Sequence, residues 1–239
     1  MVHTAALAEL GALVGDPGRV NMLAALLDGR ALTARELADR AGVSPQTASG
    51  HLSKLLAGHL ISVEKQGRHR YHRLASGEVA RMIESMMQMA ALGAAADGGR
   101  PLRFGPRDAA MRNARTCYDH FAGRLGVALA DRMSERGLVR LETDGGAVTP
   151  EGQAALLGFG VDLDAARRAK RIFCKPCLDW SERRPHLAGA VGAAIMRRAF
   201  DLNWVRRLDA TRAVSVTPAG QQGFRKVFGV AFGPEGIAE

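Results

Sequence analysis

The segment Thr33–Leu56 restricts the fold of this chain more than any other. Thr33-Ala-Arg-Glu36 is a capping box, in which the threonine side chain takes the third amide and Glu36 reaches back. The helix it starts has no room beyond Gly42, because Ser44-Pro45 caps and starts another helix running to about Ala57. So short a helix is stable only when packed. The pair is therefore predicted to form a helix-turn-helix about Gly42-Val-Ser44. Upstream, Leu7, Leu10, Leu13 and Val14 share one helical face. Asp16-Pro17 starts a further helix with Val20, Leu23, Leu26 and Leu27 on one stripe.

The helix after Ser44 separates its faces. Ala48, Leu52, Leu55 and Leu56 point to one side, whereas Gln46, Gly50 and Ser53 point to the other, flanked by Thr47, Ser49 and Lys54. A merely solvated face is usually rich in Glu and Lys. Small polar groups suit a helix that enters a major groove and meets base edges. Residues 60–74 then read as two strands around Gly67, with Lys65, Arg68, His69 and Arg70 crowded near the turn. A basic hairpin there is a wing, and its cations are expected to meet phosphates or the minor groove.

These two stretches carry a family resemblance. Gln46-Thr-Ala-Ser-Gly-His-Leu-Ser-Lys-Leu-Leu-Ala-Gly-His-Leu-Ile, followed by Gly67-Arg-His-Arg-Tyr-His-Arg-Leu, resembles the ArsR/SmtB repressors over about residues 5–92. The resemblance implies a homodimeric winged-helix repressor that binds a palindromic double-stranded operator and is released by an effector. By position it assigns base contacts to Gln46, Thr47, Ser49, Gly50 and His51, and the wing to Arg68–Arg70. Gly50 departs from the family, where histidine is common, and a mid-helix glycine costs about 1 kcal/mol. The family's metal sites are also missing. Residues 33–41 hold no Cys or His, and residues 77–92 hold Glu78 and Glu84 but no His. Met82, Ile83, Met86, Met87 and Met89 line that last helix instead, which predicts a dimer seam.

With 33 basic and 24 acidic residues, the chain has a formal charge of +9, which favours polyanions, nucleic acid before anionic membrane. Residues 1–100 carry only 11 basic and 9 acidic side chains. DNA binding there must therefore come from clustering. Aromatic residues are 5% of the chain, so the core rests on Leu, Val, Ala and Met. The uncharged stretch Ser85–Ala96 is too short for a membrane span. The leading residues lack a signal-peptide pattern, and three cysteines make no disulfide framework. A reduced, cytoplasmic protein with no membrane partner is expected.

Ala94–Pro101 reads as a linker, and an internal repeat lies beyond it. Arg115-Thr-Cys117-Tyr-Asp119-His120 parallels Lys175-Pro-Cys177-Leu-Asp179-Trp180. Phe121-Ala-Gly parallels Leu187-Ala-Gly, and Val148-Thr-Pro-Glu-Gly-Gln parallels Val216-Thr-Pro-Ala-Gly-Gln, with Ser181–His186 an insertion. The expected architecture is mainly α with some β. It comprises a winged helix-turn-helix domain over 1–93, a linker over 94–106, and an effector domain over 107–239. That domain consists of tandem winged-helix-like αα-ββ-α repeats at 107–160 and 170–232, packed as a pseudo-twofold pair.

Three chemistries fit the side chains of this second half. Cys117-x-x-His120 and Cys174-x-x-Cys177 supply four soft ligands, a zinc set. Arg115 and Lys175 would lower the pKa of Cys117 and Cys177, favouring an oxidant or electrophile sensor in which Cys174 resolves or pairs. Alternatively the cysteines are small buried hydrophobes, with Arg115–Asp119 and Lys175–Asp179 as helical ion pairs. Trp180, His186, Trp204, Tyr118 and Phe173 could instead line a pocket for a small molecule. Arg167–Arg171 reads as a solvated helix end. No Ser/His/Asp set, phosphate loop or HExxH motif supports catalysis. The chain is expected to be a non-enzymatic DNA-binding regulator without a cofactor, zinc aside; the rival is a self-regulating enzyme whose second half performs thiol or metal chemistry.

Overall fold

The computed structural model describes residues 4–96, 106, 108–143, 145–208, 211–233 and 236–237, the side chains of 91–96 aside. It divides into two units, Met1–Leu102 and Arg103–Glu239.

In the first unit each cap starts its predicted helix. α1 (Thr4–Val14) leads into α2 (Pro17–Ala25), whose cap Asp16 accepts from the Arg19 amide at 2.9 Å. β1 (Leu32–Thr33) precedes α3 (Ala34–Ala41), where both halves of the Thr33/Glu36 capping box form. Gly42 then turns the chain through the left-handed region, and Ser44 caps α4 (Pro45–Ala57). β2 (Ile61–Gln66) and β3 (His69–Leu74) pair antiparallel around Gly67, β1 adds to the outer side of β3, and α5 (Gly77–Ala96) closes the unit. Met22, Leu23, Leu26, Leu27, Leu37, Leu52, Leu55 and Ile83 form the core. Leu7, Met86 and Met89 remain exposed, at 61%, 41% and 68%. The predicted linker begins inside α5, and its residues 97–105 lie outside the described residues. No described helix is long and apolar enough to cross a membrane.

The second unit repeats one pattern. Its first copy runs α6 (Ala109–Asn113), β4 (Arg115–Cys117), β5 (His120–Ala122), α7 (Gly123–Glu135), β6 (Val139–Glu142), β7 (Gly145–Val148) and α8 (Pro150–Phe159). The second runs α9 (Leu163–Arg168), β8 (Lys175–Leu178), β9 (Pro185–Ala188), α10 (Gly189–Asp201), β10 (Val205–Arg207), β11 (Val214–Val216) and α11 (Pro218–Phe228). A last ladder joins β12 (Phe232–Gly233) to β13 (Gly236–Ile237). The αα-ββ-α reading therefore needs correction, because each copy carries an additional hairpin before its glycine-rich helix. β4 and β5 are three residues each and wholly buried, so they show no polar/apolar alternation for a sequence to reveal. The helical ion pairs are overturned with it, since residues four apart across a hairpin do not share a helix face.

The copies pack reciprocally. α7 lies on β9 and α10 on β5, with β5 beside β9. Phe121, Leu125 and Leu129 of one copy share a core with Leu187, Val191 and Ile195 of the other. A Cβ on Gly126 would lie 2.4 Å from the Phe121 carbonyl oxygen and 3.3 Å from His186 Cβ. One on Gly192 would lie 2.4 Å from the Leu187 oxygen and 3.2 Å from His120 Cβ. The missing side chains let each helix approach both its own hairpin and its neighbour's. Gly126→Ala or Gly192→Ala is therefore expected to cost about 1–3 kcal/mol by overpacking. Gly158→Ala, with open space around its Cβ in α8, should instead gain up to about 1 kcal/mol. Urea midpoints of the three variants check both signs.

Candidate functional site

The first candidate surface is built on α4. Ala48, Leu52 and Leu55 bury one face, which leaves Gln46, Thr47, Ser49, Gly50, Ser53 and Lys54 exposed together. Ser53 Oγ donates to the Ser49 carbonyl at 2.9 Å, and the Ser44 and Thr47 hydroxyls lie 2.9 Å apart. His51 does not join them. Its Nε2 lies 3.6 Å from Asp16 Oδ1 and its Nδ1 3.4 Å from an Arg19 guanidinium nitrogen. Arg19 in turn donates to the Ala12 and Leu13 carbonyls at 2.7 and 2.6 Å, holding the end of α1. The assignment of His51 to base contact is corrected: this side chain joins α4 to the α1–α2 corner.

The wing carries the strongest local charge. Lys65, Arg68, His69 and Arg70 are all exposed. Lys65 pairs directly across the ladder from Arg70, and Gln66 from His69. Gly67, at φ +59°, makes the tight turn without a Cβ penalty. Like charges opposite one another weaken a ladder, and an anion bound between them reverses that effect. At the wing's base His72 is buried, its Nδ1 3.3 Å from the Leu32 carbonyl, and burial holds its pKa below the ordinary value.

The second candidate site lies inside the repeat unit. Each additional hairpin places a cysteine directly across from a histidine, Cys117 opposite His120 and Cys177 opposite His186. Because β5 and β9 adjoin, the two pairs meet. The Sγ atoms and facing imidazole nitrogens all lie within 4.8 Å of one another, with Cys117, His120 and His186 buried and Cys177 half-buried. The two Nε2 atoms are 3.0 Å apart. Each Nδ1 faces a carboxylate, His120 with Asp119 Oδ1 at 2.8 Å and His186 with Asp179 Oδ2 at 3.1 Å, the latter at ion-pair distance without hydrogen-bond alignment.

The carboxylates are held across the repeats. Asp179, fully buried, takes Arg115 at 2.7 Å, the Gly123 amide at 2.7 Å, and the Ser181 and Glu182 amides at 2.8 and 3.0 Å. Asp119 takes Arg171. Burial pulls both carboxyls up, but the facing histidine and arginine outweigh it and hold them well below the usual range. Burial likewise lowers His186, yet Asp179 and Cys117 reverse the sign and raise it. The Cys117 thiol is pushed up to about 11 by Cys177 beside it and by burial, and burial alone pushes Cys174 up to about 11.

A helix-turn-helix domain model matches residues 14–64. A Bacillus subtilis protein named as an uncharacterized HTH-type transcriptional regulator, YdfF, is 40% identical over 220 residues, 92% of this chain and 96% of that one. The chain belongs to the HTH-type transcriptional regulators. At 220 residues the match runs through both units of this regulator. The HTH-type transcriptional regulator CmtR of Mycobacterium tuberculosis is 35% identical over 88 residues, 37% of this chain and 74% of that one. Among solved structures, the homodimeric winged helix-turn-helix domain of a possible ArsR-family regulator from Mycobacterium bovis is 27% identical. It covers 36% of this chain and 79% of that one, with a TM-score of 0.33. The regulator's first unit is a helix-turn-helix followed by a two-stranded wing.

Several expectations for this regulator's second unit change. Cys174 is not in the cluster; its Sγ sits in the shared core, 3.0 Å from where a Gly146 Cβ would be. His186 takes its place. That position was visible in the repeat, since aligning Phe121 with Leu187 also aligns His120 with His186. The thiolate expectation fails for Cys117, because Arg115 is turned to Asp179 and the thiol is raised instead. The aromatic pocket does not assemble: Trp204 lies 5.0 Å from Phe159 and 5.1 Å from Phe224 in the core, and His186 faces His120. Trp180 is buried beneath Arg115, 5.7 Å away, with its indole nitrogen unpartnered. Arg167 and Arg171 are not merely solvated, the former bonding Gln153 and the latter Asp119.

The buried pair should dominate stability. Arg115→Met leaves the Asp179 carboxylate without its cation and is expected to cost about 3–5 kcal/mol. Arg132→Ala, which breaks an exposed pair with Glu135, should cost less than about 1 kcal/mol. Denaturant titration of the two variants side by side checks the contrast.

Proposed function

We propose that this regulator is a homodimeric repressor that binds a palindromic operator through Gln46, Thr47, Ser49, Gly50 and Lys54 on α4. In this reading Lys65, Arg68, His69 and Arg70 hold the flanking phosphates, and an effector acting on the repeat domain releases the DNA. The observation that carries it is the wing, whose like-charged residues oppose one another beside an exposed face of small polar groups. The exposed Leu7, Met86 and Met89 supply an apolar seam for a second copy. A twofold there would space two α4 helices by about one DNA turn, ~34 Å. The second unit performs no catalysis in this reading, and its repeats serve sensing.

Affinity for the chain's own upstream region is expected to fall steeply with salt as phosphate contacts are screened. Arg68→Ala should weaken all duplexes alike, whereas Gln46→Ala should cost about 1–3 kcal/mol at the cognate site only. Gel-shift titrations against random duplex read both effects, and equal binding to the two duplexes defeats the operator assignment. Light scattering should give twice 25.5 kDa. A monomer that still protects a palindrome would remove the seam.

A further inference from the structure

We propose that Cys117, His120, Cys177 and His186 form a closed four-ligand site for zinc that joins the two repeats. The donor set is two sulfurs and two imidazole nitrogens, which selects a borderline-soft ion and rejects magnesium or calcium. Zinc takes such ligands tetrahedrally at about 2.3 Å for sulfur and 2.0–2.1 Å for nitrogen. Those lengths set the nitrogen–nitrogen edge at about 3.3 Å, against 3.0 Å between the two Nε2 atoms. All four donors already lie within 4.8 Å of one another.

The surroundings point the same way. Histidines that ligate metals commonly give their other nitrogen to a carboxylate, which fixes the tautomer. Asp119 does this for His120, and Asp179 faces His186 at ion-pair distance. Protons placed on both Nδ1 atoms leave two Nε2 lone pairs pointing at each other 3.0 Å apart, an arrangement that a cation between them satisfies. Binding releases the two thiol protons to solvent and forms two zinc–sulfur and two zinc–nitrogen bonds. The product, one dication with two thiolates and two neutral imidazoles, carries no net charge, which is what a buried site requires. Each outer carboxylate already has its own arginine, Arg171 for Asp119 and Arg115 for Asp179. Four protein ligands leave no open position, so this is a staple between hairpins rather than a catalytic ion.

The site stands or falls independently of operator binding, because its test uses no DNA. Full-length, untagged protein made in zinc-supplemented medium and kept under reductant should contain about one zinc per chain by elemental mass spectrometry. After chelation, Co2+ should restore one equivalent, with the intense visible bands of tetrahedral cobalt and a thiolate-to-cobalt charge-transfer band. Cys174→Ser should keep both signals, and Cys177→Ser should lose the charge-transfer intensity of one sulfur and bind far more weakly. Asp119→Asn, at a half-exposed position, should keep the stoichiometry but lower cobalt affinity about 10–100-fold. Should Cys177→Ser fail to fold, the wild-type spectrum and Asp119→Asn decide the matter alone. Wild-type protein that holds no zinc and takes up no Co2+ under reductant overturns the proposal. So does a Cys117–Cys177 disulfide found in its place, or loss of binding in Cys174→Ser.

Discussion

Asp179 has no exposed surface, and the repeat unit is organised around keeping its charge satisfied. One oxygen takes the Arg115 guanidinium and the turn amides of Ser181 and Glu182; the other takes the Gly123 amide and faces His186. Arg115 and Gly123 belong to the first copy, and the remaining partners to the second. A carboxylate removed from water is tolerated only with full compensation. Its partners therefore fix several things at once. They set the start of α7, the turn of the inserted segment, the orientation of His186, and the register of one hairpin against the other.

The duplication explains how these partners converge. A single hairpin offers one cysteine and one histidine, too few donors to fill a tetrahedral shell. Two copies related by reciprocal packing offer both pairs across one contact. The same reciprocity places Gly126 beside His186 and Gly192 beside His120, so the helices close over the histidines only where a side chain is missing. Repetition first looks like an argument against a metal site, since a ligand set needs no symmetry. Here the copies supply the ligands in equal halves.

The first unit was legible because its signals are local. Asp16, Thr33 and Ser44 announce helices through backbone amides two or three residues away, and Gly67 announces a turn within four residues. The second unit's hairpins were not, because their strands are only three or four residues long and their pairing is confirmed only by the other copy. Thr116 bonds the Arg212 carbonyl and Val214 the Ala114 carbonyl, partners almost a hundred residues apart. His51 was misplaced for a similar reason. The resemblance alone assigned it to the groove by position, but Asp16 and Arg19, from another helix corner, engage the ring. The replacement of Cys174 by His186 is different: the aligned Phe121 and Leu187 carried it, and the local Cys-x-x-Cys spacing obscured it.

Charge shows most clearly how far composition can mislead about function. The second unit holds most of the excess positive charge, yet several of its cations are structural. Arg115 is buried on Asp179, Arg171 holds Asp119, and Arg184 pairs with Asp131. The first unit is nearly balanced, but Arg19 is buried on the carbonyls that end α1 and Asp16 is engaged with it. Pairing Asp16 and Arg19 internally leaves the net charge of the unit unchanged while removing both from its surface field. What remains outward is uneven. Glu64 meets Arg73 at the wing's base, whereas Lys65, Arg68 and Arg70 stand together at its tip. A potential that falls off within about 8 Å in physiological salt is set by such neighbours rather than by the sum over the chain. In the proposed function the surface that meets the polyanion is therefore the one with the smaller total charge.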